Sequence, residues 1–370
     1  MASCRRCGHR AGRSRSETRR PSAICLSPVR ADVLILGGGP AGATAAILLA
    51  RAGRETYVVE KSEFPRRKVC GEFVAASAIS LLGELGLKER FDALAGPEVR
   101  RIAVWSGRRV LEAPMPGHRY PRALERDKLD TLLLDEAVRS GAHLVRDGAG
   151  IHASTVIRAH GSWQRNVQPK PSDLFGFQAH FSGGALPPGT IALIPFPGGY
   201  GGLVERAHGR STFACCIRRD RLQALREGGV SAGESVLRHA MHACPTLGEA
   251  LATATLDEPW LGAGPLHPGM RTLRVDGVYS IGNAAGEAHP VVGEGIAMAM
   301  QSAALLAQCL LQGGDYARLW RRRFALRLRV SAGLAHLAML PGAAALAPLL
   351  GGMPRLITAA ALLSGKRAAS

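Results

Sequence analysis

Aromatic and acidic side chains are both scarce in this chain of 370 residues. Phe, Trp and Tyr make up 5% of the sequence, and 29 Asp and Glu stand against 47 Lys and Arg, which leaves a net charge of +18. A charge of this size raises nucleic acid or an anionic membrane as a partner. Surfaces that bind single-stranded nucleic acid interleave basic residues with aromatic ones on which bases stack. No such stripe is present, so the sequence predicts no nucleic-acid binding.

The first thirty residues lack any apolar periodicity. Residues 1–30 hold eight Arg and one Glu, among many Ser and Gly, and contain no continuous apolar run of the kind found in a secretory signal. We predict a basic disordered arm there. A transit-like segment and an over-long start of the chain both fit it.

The eight cysteines form neither a disulfide framework nor a metal site. Cys4 and Cys7 make one C-x-x-C pair, but no second Cys or His pair follows at zinc-ligand spacing. Scattered cysteines are typical of the reducing cytosol. The sequence therefore predicts a cytoplasmic protein with no metal, and no Ser-His-Asp triad is recognisable.

Residues 31–60 have the pattern of a β-α-β unit. ADVLILG is typical of a buried parallel strand, GGPAGATAAILLARAG of a helix, and ETYVVE of the second strand. Gly37, Gly39 and Gly42 satisfy G-x-G-x-x-G, in which the glycines allow a tight turn, close approach to a pyrophosphate, and close packing of helix on strand. Glu60 ends the second strand, where an acid binds the ribose hydroxyls. This loop alone leaves nicotinamide and flavin dinucleotides open.

Three further segments decide between these cofactors. KVCGE lies at 68–72, RALERDKLD at 122–130, and a second glycine-rich junction, GNAAGEAHPVVGEGIAMAMQSA, begins at residue 282. In this order they resemble the flavoprotein hydroxylase superfamily, which includes p-hydroxybenzoate hydroxylase-like monooxygenases, geranylgeranyl reductases and flavin-dependent halogenases. The sequence is most similar to the geranylgeranyl-reductase-like branch, over about residues 31–340.

The resemblance implies the fold and the cofactor. The expected fold is α/β: a Rossmann-like, glutathione-reductase-like three-layer FAD-binding domain, interleaved with an antiparallel substrate sheet and followed by C-terminal helices. FAD is the expected cofactor, held by both glycine elements, and NADPH is a candidate electron donor. The expected cofactor-binding residues are Gly37, Gly39, Pro40, Ala41, Gly42, Glu60, Lys61, Arg126, Gly282, Asn283, Pro290, Gly293, Gly295 and Ile296.

No catalytic residue is assigned, because the flavin would carry the chemistry. The resemblance places KVCGE beside the flavin face, which makes Cys70, Lys68 and Glu72 candidates. A small buried cysteine is an equally good interpretation of Cys70. Arg126 is either a phosphate or flavin contact or an exposed helical arginine.

Residues 175–218 consist of short apolar runs separated by Gly and Pro, which predicts an antiparallel sheet. In the family this sheet roofs the flavin, so Phe177, Phe196 and Tyr200 are candidates for the substrate pocket, with ordinary sheet core as the alternative. The few polar groups favour an apolar or aromatic substrate of polyketide or isoprenoid type, as in secondary metabolism. We expect monooxygenation, with double-bond reduction or a non-catalytic flavin-fold binding protein as alternatives. Halogenation is disfavoured because no W-x-W-x-I-P stretch is present.

Three features depart from the family pattern. Asn283 stands where the late motif usually has Asp, so an amide replaces a charge at the ribitol. His160-Gly161 replaces the usual Asp-Gly, which puts direct NADPH use in doubt. The stretch 146–154 is short enough to predict a missing or truncated hairpin.

The predicted domain organisation is discontinuous. The FAD-binding domain comprises 31–100, 122–165 and 265–315, and the substrate domain 101–121 and 166–264. A helical segment, 316–370, opens with RLWRRRFALRLR and is interrupted by prolines at 341, 348 and 354 into pieces too short to span a bilayer. These helices either pack on the FAD domain or rest on an anionic membrane as a peripheral contact. The oligomeric state is not predicted.

Overall fold

A computed structural model describes residues 29–162, 168–226, 228–340 and 358. Its helices are α1 (Pro40–Arg51), α2 (Ala76–Glu84), α3 (Lys88–Leu94), α4 (Arg126–Arg139), α5 (Arg219–Ala224), α6 (Ala232–Ala243), α7 (Pro245–Leu251), α8 (Gly295–Gln312) and α9 (Tyr316–Met339). Residues 1–28 of the predicted N-terminal arm, with Cys4 and Cys7, and the segment after residue 340 (Thr358 apart) lie outside the described residues. The prediction of disorder is wrong for Val29 and Arg30, because they pair with Ile151 and His152 in a parallel sheet.

The described residues also form eighteen strands. In chain order they are β1 (Val29–Leu36), β2 (Thr56–Val59), β3 (Phe73–Val74), β4 (Arg101–Ser106), β5 (Arg109–Pro114), β6 (Arg122–Ala123), β7 (His143–Val145), β8 (Ile151–Arg158), β9 (Leu174–Ser182), β10 (Thr190–Phe196), β11 (Gly199–Glu205), β12 (Arg210–Arg218), β13 (Thr255–Leu256), β14 (Leu261–Leu266), β15 (Gly269–Met270), β16 (Arg274–Val275), β17 (Val278–Ser280) and β18 (Gly286–Glu287).

Six strands form the sheet that carries the nucleotide loop, in the order β16-β17-β8-β1-β2-β7. All neighbours are parallel except β16 and β17. Helix α1 packs against both α4 and α8 beside this sheet. The apolar run of β1 has its central residues buried, because a parallel strand is covered on both faces. The β-α-β unit predicted from residues 31–60 is therefore confirmed.

The second sheet has the order β13-β9-β12-β11-β10-β4-β5, and β14 also pairs with β9. Its pairs are antiparallel except β10 with β4. Alternation along β9 sends Phe177, Ala179 and Phe181 to a core shared with α6 and α7, and Gln178 and His180 to the opposite face. The predicted α/β fold with an antiparallel sheet is confirmed, whereas the domain boundaries stay a prediction.

The connection from β7 to β8 consists of residues 146–150 alone. Val145 ends the strand at one edge of the parallel sheet, and Ile151 begins a strand on the other side of β1. The prediction that no full meander is inserted here is confirmed.

One described helix, α8, is long and apolar enough to cross a membrane by length and composition. Two thirds of that stretch is buried within the protein, packed on α1 and α2. Burial of this extent is typical of a core helix.

Candidate functional site

The glycine loop between β1 and α1 is set by contacts within the protein. Gly37 has φ of +115°, and a Cβ there would lie 2.6 Å from the carbonyl oxygen of Ala159, at the end of β8. A Cβ on Gly42 would overlap the carbonyl oxygen of Gly37 and lie 3.0 Å from its carbon. Both glycines are therefore required by the turn itself.

Gly39 has no such constraint. Its φ is −72°, a value open to any residue, and the nearest atom to a Cβ there is Arg66 Nη2 at 3.9 Å. Pro40 begins α1 directly after it, with Ala41 and Gly42 buried in the first turn. Gly39 thus borders space that no described protein atom fills, in front of a helix N-terminus.

Glu60 holds the loop from the end of β2. Its Oε2 accepts the N–H of Gly38 at 2.9 Å, and its Oε1 accepts the N–H of Ser62 at 2.8 Å. Burial raises the pKa of Glu60, but the two N–H groups and the Arg66 guanidinium together bring it below its ordinary value. The carboxylate is therefore charged where the sequence predicts a ribose ligand. Lys61 beside it is exposed.

The second glycine element contacts the first. Gly282 follows β17 with φ of +59°, and a Cβ there would lie 2.8 Å from Cβ of Ala41 in α1. Its N–H donates to Ser302 Oγ of α8 at 2.8 Å. The loop after β1 and the junction after β17 therefore form one continuous surface at the carboxyl ends of two parallel strands that lie on either side of β8.

Asn283 is joined to a polar group that the sequence did not reveal. Its Nδ2 donates to Ser162 Oγ at 2.9 Å and to Glu287 Oε1 at 3.2 Å. Glu287 Oε2 pairs with Arg271 at 2.9 Å, and Arg271 also donates to the backbone carbonyl oxygen of Asn283. The amide nitrogen is fixed by these acceptors, which leaves Oδ1 as the atom that Asn283 offers to a ligand.

The turn before α8 brings the helix start against β3, which directly follows the KVCGE loop. Pro290 opens a short 3-10 turn that ends at Gly293, with φ of +66°, where a Cβ would lie 2.9 Å from the Phe73 ring. Gly295 begins α8 and has no atom within 4 Å of its Cβ position, while Ile296 points into the core. The first N–H groups of α8 thus emerge at an open position, with the positive end of the helix dipole.

Cations gather beside the first glycine loop. Lys68 Nζ lies 3.2 Å from a Cβ position at Gly161, in the turn that follows β8. Burial lowers the pKa of Lys68, and Arg126 and Arg66 lower it further. Burial likewise lowers the pKa of His160. Arg66 and Lys68 thus bring positive charge beside the loop, whereas His160 is neutral at neutral pH.

Arg126 is a buried residue of α4, not an exposed helical arginine. It forms a two-pronged ion pair with Asp130, each bond 2.7 Å long. Cys70 lies beside its guanidinium and is half-buried. Burial raises the pKa of the Cys70 thiol against the opposing effect of Arg126, so the thiol is protonated at neutral pH.

Glu72 anchors the KVCGE loop to the second sheet. It is 2% exposed, with φ of +56°, and accepts bonds from Gln178 Nε2 at 2.7 Å and Thr212 Oγ1 at 2.6 Å. His180 Nε2 lies 3.0 Å from its Oε2. Gln178 Oε1 in turn accepts the Cys70 N–H at 3.0 Å, so the glutamine amide is oriented by both neighbours.

The charge on Glu72 is stabilised by this network. Burial raises the pKa of Glu72, but His180, Thr212 and the charge of Arg206 together bring it below its ordinary value. A buried carboxylate with three donors is a structural anchor and not a group that exchanges protons with a substrate. Glu72 therefore differs from the expected role of supplying charge at the flavin face.

Residues 30–160 match the FAD binding domain family. The fold is similar to that of flavin-dependent brominase Bmp2, with a TM-score of 0.76 and 19% identity over 91% of this chain and 94% of the other. The FAD binding domain over residues 30–160 and this fold fit the resemblance to the flavoprotein hydroxylase superfamily.

Two curated proteins are similar to this chain in sequence. Menaquinone reductase of Mycolicibacterium smegmatis is 35% identical over 119 residues, which are 31% of this chain and 29% of the relative. Digeranylgeranylglycerophospholipid reductase 2 of Methanopyrus kandleri is 27% identical over 301 residues, 72% of this chain and 73% of the relative. The chain thus matches less than a third of the length of the menaquinone reductase. The prediction of an FAD-binding domain is confirmed over residues 30–160, and both of these relatives are named as reductases.

The FAD of this superfamily fits the residues present. Gly39 and Gly295 each border open space where a Cβ would meet no backbone, one at each glycine element. The cations Arg66 and Lys68 lie beside the first element, and the start of α8 faces the second. The pyrophosphate would lie along Gly39, and Asn283 and Gly295 would hold the ribitol and flavin end.

Two of the expected pocket residues are misplaced. Phe177 and Phe196 lie in the core between the second sheet and α6–α7, on the face opposite to Gln178 and Glu72. The physical reason is the period of two: phenylalanines at alternate positions share the face that the helices cover. Tyr200 instead lies on the inner face of the second sheet, the same face as Gln178, where it packs with Cys216 and Ala335. The expectation is corrected for Phe177 and Phe196 and retained for Tyr200.

Proposed function

We propose that this chain is an FAD-dependent oxidoreductase that acts on an apolar small molecule. The observation that best supports this proposal is the close approach of Gly282 to Ala41, which brings the two glycine elements together into one surface for the cofactor. Bound FAD would supply two-electron redox chemistry. The protein would bind the pyrophosphate at Gly39, stabilise charge at the start of α8, and exclude water with the second sheet.

The proposed reaction is monooxygenation of an apolar or aromatic compound, with NADPH as the proposed electron donor. The inner face of the second sheet supports an apolar substrate, because its polar residues Gln178 and Thr212 are bonded to Glu72. Tyr200 would line the substrate space. The burial-raised pKa of its hydroxyl keeps it uncharged at neutral pH.

Double-bond reduction is the second candidate, and Cys70 favours it. Reduction of an isoprenoid double bond needs a hydride and a proton. The protonated thiol of Cys70 would supply the proton, from the KVCGE loop that the resemblance places beside the flavin. The similarity to digeranylgeranylglycerophospholipid reductase 2 over most of both chains supports it as well.

Flavin content and oxygen dependence separate these reactions. The purified protein is expected to be yellow, and its reduced flavin to be reoxidised by oxygen faster with a substrate that becomes hydroxylated. Oxidation of NADPH that proceeds without oxygen, with loss of a substrate double bond, would assign the reductase. A colourless protein that fails to retain added FAD would instead support the non-catalytic binding protein.

A further inference from the structure

Helix α9 has two different faces. Its inner face, with Trp320, Phe324, Leu328 and Ala335, is buried against the rest of the protein. Ser331 Oγ accepts the His289 N–H at 3.3 Å, and Ala335 packs with Tyr200 and Cys216. The helix is therefore already ordered in the fold, and binding through its other face needs no folding step.

The outer face combines arginines with exposed leucines. At about 100° per residue, Arg318, Arg322, Leu326, Arg329 and Leu337 all fall within an arc of about 100°. Leu326 is 59% exposed and Leu337 52% exposed, the two highest values among large apolar side chains in the described ranges. Exposed leucines at these positions are not required by packing.

Among the described residues, the arginines of this face have no acidic partners. The sequence contains no Asp or Glu after residue 315. Within the described part of the chain, Arg318, Arg322 and Arg329 form no ion pair with a carboxylate. Other exposed arginines, such as Arg100 and Arg108, are paired. The positive charge of α9 is therefore open to an anionic partner.

We propose that the outer face of α9 binds an anionic lipid bilayer, with its leucines inserted at the headgroup level. Arginines attract anionic headgroups, and leucines on the same face enter the acyl boundary, the combination found in interfacial helices. An acidic polypeptide or a nucleic acid would use the arginines and leave Leu326 and Leu337 in water. Because the inner face of α9 packs on Tyr200, membrane contact would bring the second sheet close to apolar compounds dissolved in the bilayer.

The test uses the full chain and sedimentation with lipid vesicles. Vesicles of phosphatidylcholine with an equal amount of phosphatidylserine are compared with phosphatidylcholine alone, at low salt and at about 1 M salt, where the Debye length is about 3 Å. One variant combines Arg318→Gln, Arg322→Gln and Arg329→Gln. Its control combines Arg30→Gln, Arg54→Gln and Arg109→Gln, three exposed arginines elsewhere with the same loss of charge. A third variant is Leu326→Gln with Leu337→Gln.

The wild type and the control are expected to bind the anionic vesicles at low salt. The α9 arginine variant should bind about 100-fold more weakly, at about fivefold per arginine, and high salt should have a similar effect. The leucine variant should bind at least about tenfold more weakly at unchanged charge. Far-UV circular dichroism and thermal melting confirm that each variant is folded.

Several results would overturn the proposal. Absence of binding at low salt would do so, as would equal losses in the α9 variant and its control. An acidic polypeptide would be assigned instead by two results together. The leucine variant would bind the vesicles as well as the wild type does, and soluble polyaspartate would displace the wild type from the vesicles as effectively as added free vesicles do. None of these results depends on whether the chain oxidises or reduces a substrate, so the proposed function is tested separately.

Discussion

Two glycines of the first loop should respond in opposite ways to the same added methyl group. In Gly39→Ala the methyl enters open space, since only Arg66 Nη2 lies within 4 Å, at 3.9 Å. In Gly42→Ala the methyl overlaps the carbonyl oxygen of Gly37. The pair thus separates a glycine kept for the ligand from a glycine kept for the fold.

The size of each effect follows from this geometry. Gly39 has φ of −72°, so alanine is unstrained there. The loss of a glycine helix cap and the gain from a less flexible unfolded chain nearly cancel, leaving a change below about 1 kcal/mol in unfolding free energy. Gly42→Ala adds an overpacking cost of about 1–3 kcal/mol or more, against a helix-propensity gain of about 1 kcal/mol. Because the methyl would overlap a backbone oxygen, the cost lies at the upper end of this range, and we expect a net loss of about 2 kcal/mol.

Gly39→Ala should weaken FAD binding although it leaves the stability of the protein nearly unchanged. In Gly39→Ala the methyl occupies the proposed pyrophosphate position, and an overlap worth about 1–3 kcal/mol weakens FAD binding about 5-fold to 150-fold. Urea unfolding of the apoprotein and titration of FAD fluorescence measure the two quantities on the same samples. Gly53→Ala, in the exposed turn after α1, is the control for an unrelated loop, although its φ of +76° adds some strain.

The reasoning would be refuted by either of two outcomes. Wild-type FAD affinity in Gly39→Ala would remove the pyrophosphate from this loop. Wild-type stability in Gly42→Ala would show that the backbone of Gly37 does not lie where the structure has it.

Further predictions concern the residues around the site. Glu72→Ala should lower the unfolding free energy by about 3–5 kcal/mol in urea melts, because three buried donors lose their acceptor, whereas Thr212→Val should cost about 1 kcal/mol; equal losses would contradict the anchor role. The folded pKa of Glu72 lies below 4.5 despite the opposing effect of burial, so its stabilisation is present above pH 4.5 and is lost as the pH falls through the folded value; Glu72→Gln should flatten that part of the stability–pH curve, and an unchanged slope would count against it. Asn283→Asp should destabilise the protein by about 1–3 kcal/mol, because it places a second carboxylate near Glu287. Adding Glu287→Gln should restore the lost stability. Additive effects in this double-mutant cycle would argue against the contact. If the reductase assignment holds, Cys70→Ala should retain FAD but slow turnover about 100-fold or more, and unchanged turnover would exclude the thiol as proton donor.

Local sequence patterns were sufficient for the nucleotide-binding half of the fold. The apolar run of β1, the glycine spacing and the strand that ends at Glu60 are contiguous, so 30 residues contain the whole unit. The second glycine element, 240 residues later, could be joined to the first only through the family resemblance. Its contact through Gly282 and Ala41 is a long-range contact that no local pattern encodes.

The polar anchors of the site could not be predicted, because their partners are distant in sequence. Glu72 meets Gln178 and Thr212 across 106 and 140 residues. A usable signal was present in FGFQAHF, where Gln178 and His180 take the alternate positions of an otherwise apolar strand. The same alternation would have placed Phe177 with the helices. Binary pattern thus assigned the strand correctly, and the error arose from assigning its faces by residue type alone.

The most direct test of the central claim is the visible absorption spectrum of the purified chain after reconstitution with excess FAD and removal of free flavin by gel filtration. If both glycine elements form one cofactor site, the protein should retain the perturbed flavin bands at one FAD per chain, and Gly39→Glu should lose them while remaining folded. A folded wild-type protein that retains no flavin would contradict the claim.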